Sequence, residues 1–353
     1  MKVCLLTYQI GRSLGTGIER YVAELYDGLI GKNVGVDLIV KNDGVTGIPL
    51  IHDNVVIPVK SISKLDKKTV FHAISSRQAT HLPWISKKKS VVTINAVIPL
   101  MEIELGDSPL PHIAEAYGKY IFRMVRKTGR IIAVSSLVKK QLVEKIGADE
   151  DKITVVNYGI NEQFKPMKIE KKVKKVGYIG GLTPRKRVDV AVRTFDIFTQ
   201  SYPDINCEFD IYGPKNPKSL TNEYPKLLEM KKNRGLDNLF FKGLIKDHEI
   251  VAGYNSFDVF IFPTVYEGFG LPMIEAQRCG VPVITMKDGN IPEEVVEKTI
   301  QCDDEEDAAE KMYKLLTNDK YREKISREGL KYSQKFTWEK CVNKTIEVYK
   351  DLL

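Results

Sequence analysis

The chain has 353 residues, 43% of them hydrophobic and 28% charged, with a formal net charge of +8. That length and apolar content suit two ordinary domains with sizeable cores and exclude a disordered chain. The basic excess points to anionic partners (nucleotide diphosphates, acidic lipid headgroups or nucleic acid) without choosing among them.

Lys2 to Gln9 alternates into a buried first strand, too short and strand-like for a signal peptide. The loop G-R-S-L-G-T-G spans Gly11 to Gly17, and Ile18, Val22, Leu25 and Leu29 then mark one face of a helix. Strand, glycine loop and helix make a nucleotide-fold opening, but G-x-G-x-x-G is not met, so it is no dinucleotide fingerprint. Short strands follow at Val36–Val40, Asn54–Pro58, Thr69–Ala73 and Ser90–Ile94, the last running into N-A-V-I-P-L. Leu100 to Pro111 reads as irregular. His112 to Arg130 reads as an amphipathic helix, with Arg123, Arg126, Lys127 and Arg130 recurring between Tyr117, Tyr120, Ile121, Phe122 and Met124. A basic helix carrying aromatics either lies on an anionic membrane surface or flanks a sheet in solvent. Lys87 to Lys89 would add to the same patch. Arg130–Ser136 and Ile153–Asn157 are strands, with a helix from Leu137 to Ile146 between them.

Tyr158 to Lys175 has a glycine, a proline, alternating charge and no apolar face, and reads as a linker. A second α/β unit opens with the strand Val176–Ile179. The loop G-G-L-T-P-R-K-R precedes a helix over Val188–Gln200. Arg185 and Lys186 thus stand at a helix N-terminus, where a departing nucleoside diphosphate needs positive charge; the plainer reading is a basic surface turn. Cys207–Tyr212 and Leu239–Leu244 are strands, with an extended loop over Pro214–Leu220. The most informative stretch is F-I-F-P-T-V-Y-E-G-F-G-L-P-M-I-E-A-Q-R-C-G-V-P-V-I-T, Phe260 to Thr285. Val259–Phe262 is a buried strand, Gly268 and Gly270 form a loop, Pro272 opens a helix, Gly280 ends it, and Val281–Thr285 is the next strand. Such a loop is an anion site, while the flanking Glu267 and Glu275 suit hydroxyl pairs, and diphosphate plus sugar hydroxyls describes a nucleotide sugar. The alternative is an ordinary β-α unit with a capping carboxylate. G-N-I-P-E-E-V-V follows, then helices over Ala308–Leu316, Tyr321–Gln334 and from Phe336 onward. The five cysteines are scattered, without C-x-x-C or Cys/His pairs, a reduced pattern without structural zinc. No apolar run reaches membrane-spanning length, so the expected place is the cytoplasm, in solution or peripheral at the inner membrane face.

The string E-x7-E around G-F-G-L-P resembles the signature of retaining glycosyltransferases of the B-type (GT-B) fold, family 4 in particular, also called glycosyl transferases group 1. The resemblance implies two doubly wound Rossmann-like domains facing a central cleft. Residues 1–160 would be the acceptor-side domain, 172–335 the donor domain, and the helix over about 336–353 would cross back onto the first. It implies that Glu267 sits by the donor sugar, Glu275 binds the ribose, and Gly268, Phe269, Gly270 and Leu271 hold sugar and phosphate. G-T-G-I-E-R-Y-V-A-E-L resembles the family's first loop, which places Gly15 and Gly17 against donor phosphate or acceptor; tight helix–strand packing is the other use for them. Lys186 matches the family's diphosphate-binding lysine. Gly181 stands where relatives carry arginine, and Arg185 would supply that charge from a neighbouring position. Leu244 or Ile245 would meet the nucleobase. Where relatives read T-x-H-D, this chain has Asn95 and Ala96, which removes a titratable group. Asn95 and the nearby His72 are the acceptor-side candidates, His72 being equally readable as a packed strand-end histidine.

The reaction so implied moves a hexosyl group from a nucleotide diphosphate sugar to a hydroxyl of a glycan, lipid-linked or free. It needs no metal and no cofactor, with Glu267, Lys186 and Arg185 as the catalytic set. Asp149-Glu150-Asp151 spells D-x-D, a metal signature of a different glycosyltransferase fold, but its place between helix and strand makes it a solvated loop. A catalytically silent nucleotide-sugar binding module is the main alternative, favoured by Asn95, Ala96 and Gly181. A sugar-nucleotide epimerase shares the architecture but lacks an evident acid/base set. Nucleic-acid binding is permitted by charge, yet no recognised module is present.

Overall fold

The computed structural model describes residues 1–7, 17–40, 57–64, 66, 69–97, 111–215 and 222–353, with the backbone alone at 57–59 and 111–115. Gly15 and its loop, the irregular stretch 98–110 and most of the 214–220 loop lie outside the described residues. The chain forms two compact units, Met1–Gly159 with Phe336–Leu353, and Ile160–Lys335.

In the first unit, strands β1 (Lys2–Thr7), β2 (Gly35–Val40), β3 (Thr69–Ala73), β4 (Ser90–Ile94), β5 (Arg130–Ala133) and β6 (Ile153–Val155) form a parallel sheet in the order β2-β1-β3-β4-β5-β6. Lys2 of β1 stands level with Gly35 on one side and Thr69 on the other. β3 and β4 are buried along their whole length, which is why they read as unbroken runs rather than alternations. Helix Gly17–Gly31 turns Tyr21, Val22, Leu25 and Leu29 inward. The last helix, Trp338–Lys350, is capped by Thr337, whose hydroxyl accepts from Lys340 N at 3.2 Å, and packs on helix Gly17–Gly31. Its start lies so near Gly159 that a Cβ there would stand 2.1 Å from Trp338 N.

Two expectations need correction here. Residues 57–62 are helix, not the end of a strand over Asn54–Pro58: Pro58 occupies the first turn, where its missing N–H costs nothing. Helix 112–130 is shorter than its periodicity suggests and spans Pro111–Val125. Thr128 Oγ1 bonds to Val125 O at 2.7 Å, and a Cβ at Gly129 would meet Lys88 O at 2.7 Å, so the chain turns there and Arg130 opens β5.

In the second unit, β7 (Lys174–Ile179), β8 (Cys207–Tyr212), β9 (Leu239–Gly243), β10 (Val259–Ile261), β11 (Val283–Met286) and β12 (Ile300–Cys302) form a parallel sheet in the order β12-β11-β10-β7-β8-β9. The order reverses between β7 and β10. Loops leaving the carboxyl ends of two such strands part to opposite faces and open a crevice, the usual ligand position in these sheets. The loop after β7 carries Arg185 and Lys186, and the loop after β10 carries Glu267 and the glycines. Topology alone therefore brings the sequence's candidate residues together.

Candidate functional site

Three loops are knitted at this crevice by their backbones. Val265 N donates to Arg185 O at 3.0 Å, Asn290 N to Val265 O at 2.7 Å, and Glu267 N to Asn290 O at 3.2 Å. Arg185 and Lys186 lie on a 3-10 turn, Pro184–Lys186, so their side chains leave a fixed platform. Arg185 Nη1 donates to Tyr266 O at 2.6 Å and to Glu267 Oε1 at 2.9 Å. Lys186 Nζ donates to the same Oε1 at 2.5 Å, and Thr264 Oγ1 lies 3.0 Å from it. One carboxylate oxygen thus gathers two cations and a hydroxyl. Lys186 Nζ also sits 4.7 Å from the centre of the Phe262 ring, which stacks on Tyr178.

The group is nearly dry, with Glu267 only 8% exposed. Burial by itself would raise the Glu267 carboxyl, but the charges of Lys186 and Arg185 and the bonds from Lys186 and Thr264 outweigh it and hold it below the usual range. Burial pulls Lys186 down from its ordinary value, and Glu267 opposes that pull. Two cationic side chains thus face one carboxylate, a formal excess of one positive charge. Next along the chain, Arg187 is left-handed (φ 49°, ψ 44°), a conformation non-glycine residues adopt only where surroundings impose it; its guanidinium is held by Asp288 at 2.8 and 2.9 Å.

Gly270 caps helix Leu271–Arg278 with φ 107°, and a Cβ there would stand 2.4 Å from Met273 Cε. Only glycine fits, and no side chain caps this helix. Residues 268–271 are buried in the unliganded chain rather than projecting. Glu275 is 2% exposed and its Oε2 accepts from Tyr254 Oη at 2.8 Å. The sequence did not single out Thr264 or Tyr254. Their signal is weak: Thr264 lies three residues before Glu267, and Tyr254 lies two elements away from its partner.

Leu244, after the left-handed Gly243, is 76% exposed, whereas Ile245 turns inward so far that a Cβ at Gly253 would lie 2.4 Å from its Cδ1. The space around Gly181 is open, its imagined Cβ meeting nothing nearer than Thr183 Cγ2 at 3.9 Å.

In the first unit, Gly17 opens its helix. Asn95 is half-buried; its amide donates to Ile74 O at 3.0 Å and its oxygen accepts from Tyr158 Oη. His72 is a core residue, which corrects its reading as an acceptor-side group. It is 0% exposed, with Nδ1 2.6 Å from Tyr349 Oη and Nε2 2.7 Å from Thr93 Oγ1, and burial lowers it to about 3. It ties β3 and β4 to the last helix. Asp149 of the D-x-D string caps a 3-10 turn through Asp151 N, and Glu150 meets Lys139 at 3.1 Å. Among the described residues no cluster of His, Cys, Asp and Glu has the makings of a metal site, and no helix is long and apolar enough to cross a membrane.

Two parallel sheets, each with helices on its faces and a switch point, together with the ion cluster at the second, define the GT-B glycosyltransferase fold. Solved structures agree over nearly the whole chain. Sucrose-phosphate synthase from Thermosynechococcus elongatus superposes with a TM-score of 0.81 at 18% identity, covering 99% of this chain and 98% of its own. Anabaena Alr3699/HepE in complex with UDP and glucose gives 0.73 at 15% identity, covering 99% and 100%. Residues 159–332 match the family profile described as "Glycosyl transferases group 1". Among curated relatives, the serotype-specific mannosyltransferase WbdA of Escherichia coli is 25% identical over 297 residues, covering 78% of this chain. The match spans only 34% of WbdA, so this chain corresponds to about a third of that protein's length.

Proposed function

We propose that this chain is a retaining, metal-independent glycosyltransferase that moves a hexosyl group from a nucleotide diphosphate sugar to a hydroxyl of a glycan or lipid-linked acceptor. The observation that carries the reading is the buried meeting of Arg185, Lys186 and Glu267 at the switch point of the second sheet. Two fixed cations beside two helix N-termini suit a leaving diphosphate, whose negative charge grows as the glycosidic bond breaks. The mannosyltransferase relative and the UDP-and-glucose complex of a structural neighbour support a sugar-nucleotide donor. The amides of Gly268 to Leu271 would hold sugar and phosphate, Glu275, oriented by Tyr254, the ribose, and the exposed Leu244 the base. Gly17 would stand against donor phosphate or acceptor, and Asn95 on the acceptor side.

Glu267 is a poor candidate for a general base, because a carboxyl held below its usual range is a weak proton acceptor. Its better role is to orient the donor sugar and to steady positive charge at the anomeric carbon. The released phosphate oxygen then takes the acceptor's proton on the same face, and no dedicated base is required. The proposal includes a cytoplasmic place of work. Lys186→Ala should lower transfer by about 10²–10³-fold, the usual loss when one preorganised donor to a developing anion is removed. Glu267→Ala should likewise lose most activity while staying folded. Near-wild-type turnover of a defined donor by either variant overturns the assignment.

A further inference from the structure

Three segments of the first unit converge on the amino-terminal edge of its sheet. Helix Ile57–Ile62 leads toward β3, helix Leu82–Ile85 toward β4 and helix Pro111–Val125 toward β5, and these three strands are neighbours. The helix carboxyl ends therefore share one rim. The two short helices pack together, with Ser61 Oγ and His81 Nε2 3.1 Å apart. Gly129 N donates to Ser90 Oγ at 3.0 Å, so the turn after the long helix rests on the Lys87–Lys89 segment.

This rim carries the most exposed aromatic side chain among the described residues: Trp84 is 74% exposed, and Ile62, on the adjoining short helix, is 56% exposed. Single exposed apolar residues are ordinary, but a tryptophan and an isoleucine on touching helices are not scattered. Lys87 and Lys88, just after the Trp84 helix, are exposed, as are Arg123 and Arg126, chain neighbours of Lys127, whose Nζ lies 5.7 Å from the centre of the Trp84 ring. None of these five cations forms an ion pair with a described residue; Arg130, beside them, meets Asp351 loosely at 3.9 Å.

We infer that this rim docks on an anionic lipid surface, with Trp84 and Ile62 entering the headgroup layer and the five cations resting on lipid phosphates. A tryptophan flanked by cations is suited to the bilayer interface, where the ring is half wet and the charges meet acidic headgroups. A nucleic-acid duplex would satisfy the cations but leave Trp84 and Ile62 in water. The carboxyl edge of the sheet, where folds of this class bind ligands, stays unobstructed. The inference goes beyond the proposed transfer reaction, and its test needs neither donor nor acceptor.

The test is co-sedimentation with phosphatidylglycerol/phosphatidylcholine vesicles, read alongside tryptophan emission. The chain has two tryptophans, and Trp338 is 9% exposed, so a shift on binding reports Trp84. Binding with a blue shift, absent with pure phosphatidylcholine and weakened by salt, is the expected result. Lys87→Gln with Lys88→Gln should weaken partitioning by on the order of thirtyfold, from the usual value of a basic residue at such a surface. Trp84→Ala should weaken binding and abolish the shift. Absence of binding to the acidic vesicles, unchanged binding by both variants, or displacement of vesicles by duplex DNA overturns the inference. Stabilisation by nucleoside diphosphates, measured on the same variants, reports the donor reading separately.

Discussion

Glu267→Gln separates two effects that a truncation would merge. The glutamine keeps the shape and one acceptor oxygen but removes the negative charge that Arg185 and Lys186 share at 2.9 and 2.5 Å. Hydrogen bonds to charged groups are worth about 1.5–3 kcal/mol each and roughly half when neutral, so the unliganded variant should lose on the order of 1–3 kcal/mol of stability. The same change should help a nucleoside diphosphate, because the cations no longer have to leave a carboxylate for a phosphate. We expect about tenfold tighter binding, equivalent to ~1.4 kcal/mol, together with strongly reduced transfer. Calorimetric titration of GDP, UDP and ADP into both proteins gives the affinities, and urea unfolding gives the stability. The stability gap also has a pH signature. The folded Glu267 carboxyl lies below its ordinary value of 4.5, so its contribution is present above that value and lost as pH falls through the lower folded one. The two proteins should converge in that acid window. Equal or weaker diphosphate binding by the variant would refute the claim that Glu267 and the diphosphate compete for one pair of cations.

The first unit makes its own predictions. His72 is neutral in the fold, lowered by burial from 6.5 to about 3, whereas the unfolded chain takes up a proton there below 6.5. Stability should therefore fall as pH drops from 6.5 toward about 3, by up to ~1.4 kcal/mol per pH unit for this proton. His72→Gln should flatten that slope in urea unfolding followed by Trp338 emission, with His81, lowered to about 4, keeping its own share; an unchanged slope counts against the buried neutral histidine. Gly159→Ala places a methyl 2.1 Å from Trp338 N, a backbone atom that cannot yield cheaply, and should cost more than about 3 kcal/mol. Gly28→Ala meets the side chain of Val342, nearest at Cγ2 2.5 Å away, rather than backbone, and should cost clearly less; equal losses in the two variants would be the contrary result.

Much of the fold class was legible because both sheets are parallel and their central strands are buried, so these survive in the sequence as short apolar runs with glycine turns between. The failures have local causes. Ile57, after two further β-branched residues, reads as strand, but it opens a helix with Pro58 in its first turn. The basic periodicity after Val125 continues past Gly129, where an added Cβ would stand 2.7 Å from Lys88 O, a constraint set by another segment. Strand β12, Ile300–Cys302, has three residues and no periodicity to detect. His72 was equally readable as an acceptor-side group or a packed strand-end histidine, because Tyr349, its partner, lies 277 residues away.

The site was legible as parts but not as an arrangement. The glycines, Pro272 and both glutamates announce a loop and helix at which an anion would be stable, and two cations announce a second such place. Nothing local says that a glutamate from one closes on the cations of the other, 81 and 82 residues distant. That follows from strand order, because β7 and β10 are neighbours at the switch point. The closure also has a physical reason. Burial works against a charged Lys186, and Glu267 is the group that opposes this in the unliganded chain. A cation held in so dry a place needs a counter-charge beside it. On the function proposed above, the same carboxylate would also orient the donor sugar, and so serve both purposes from one position.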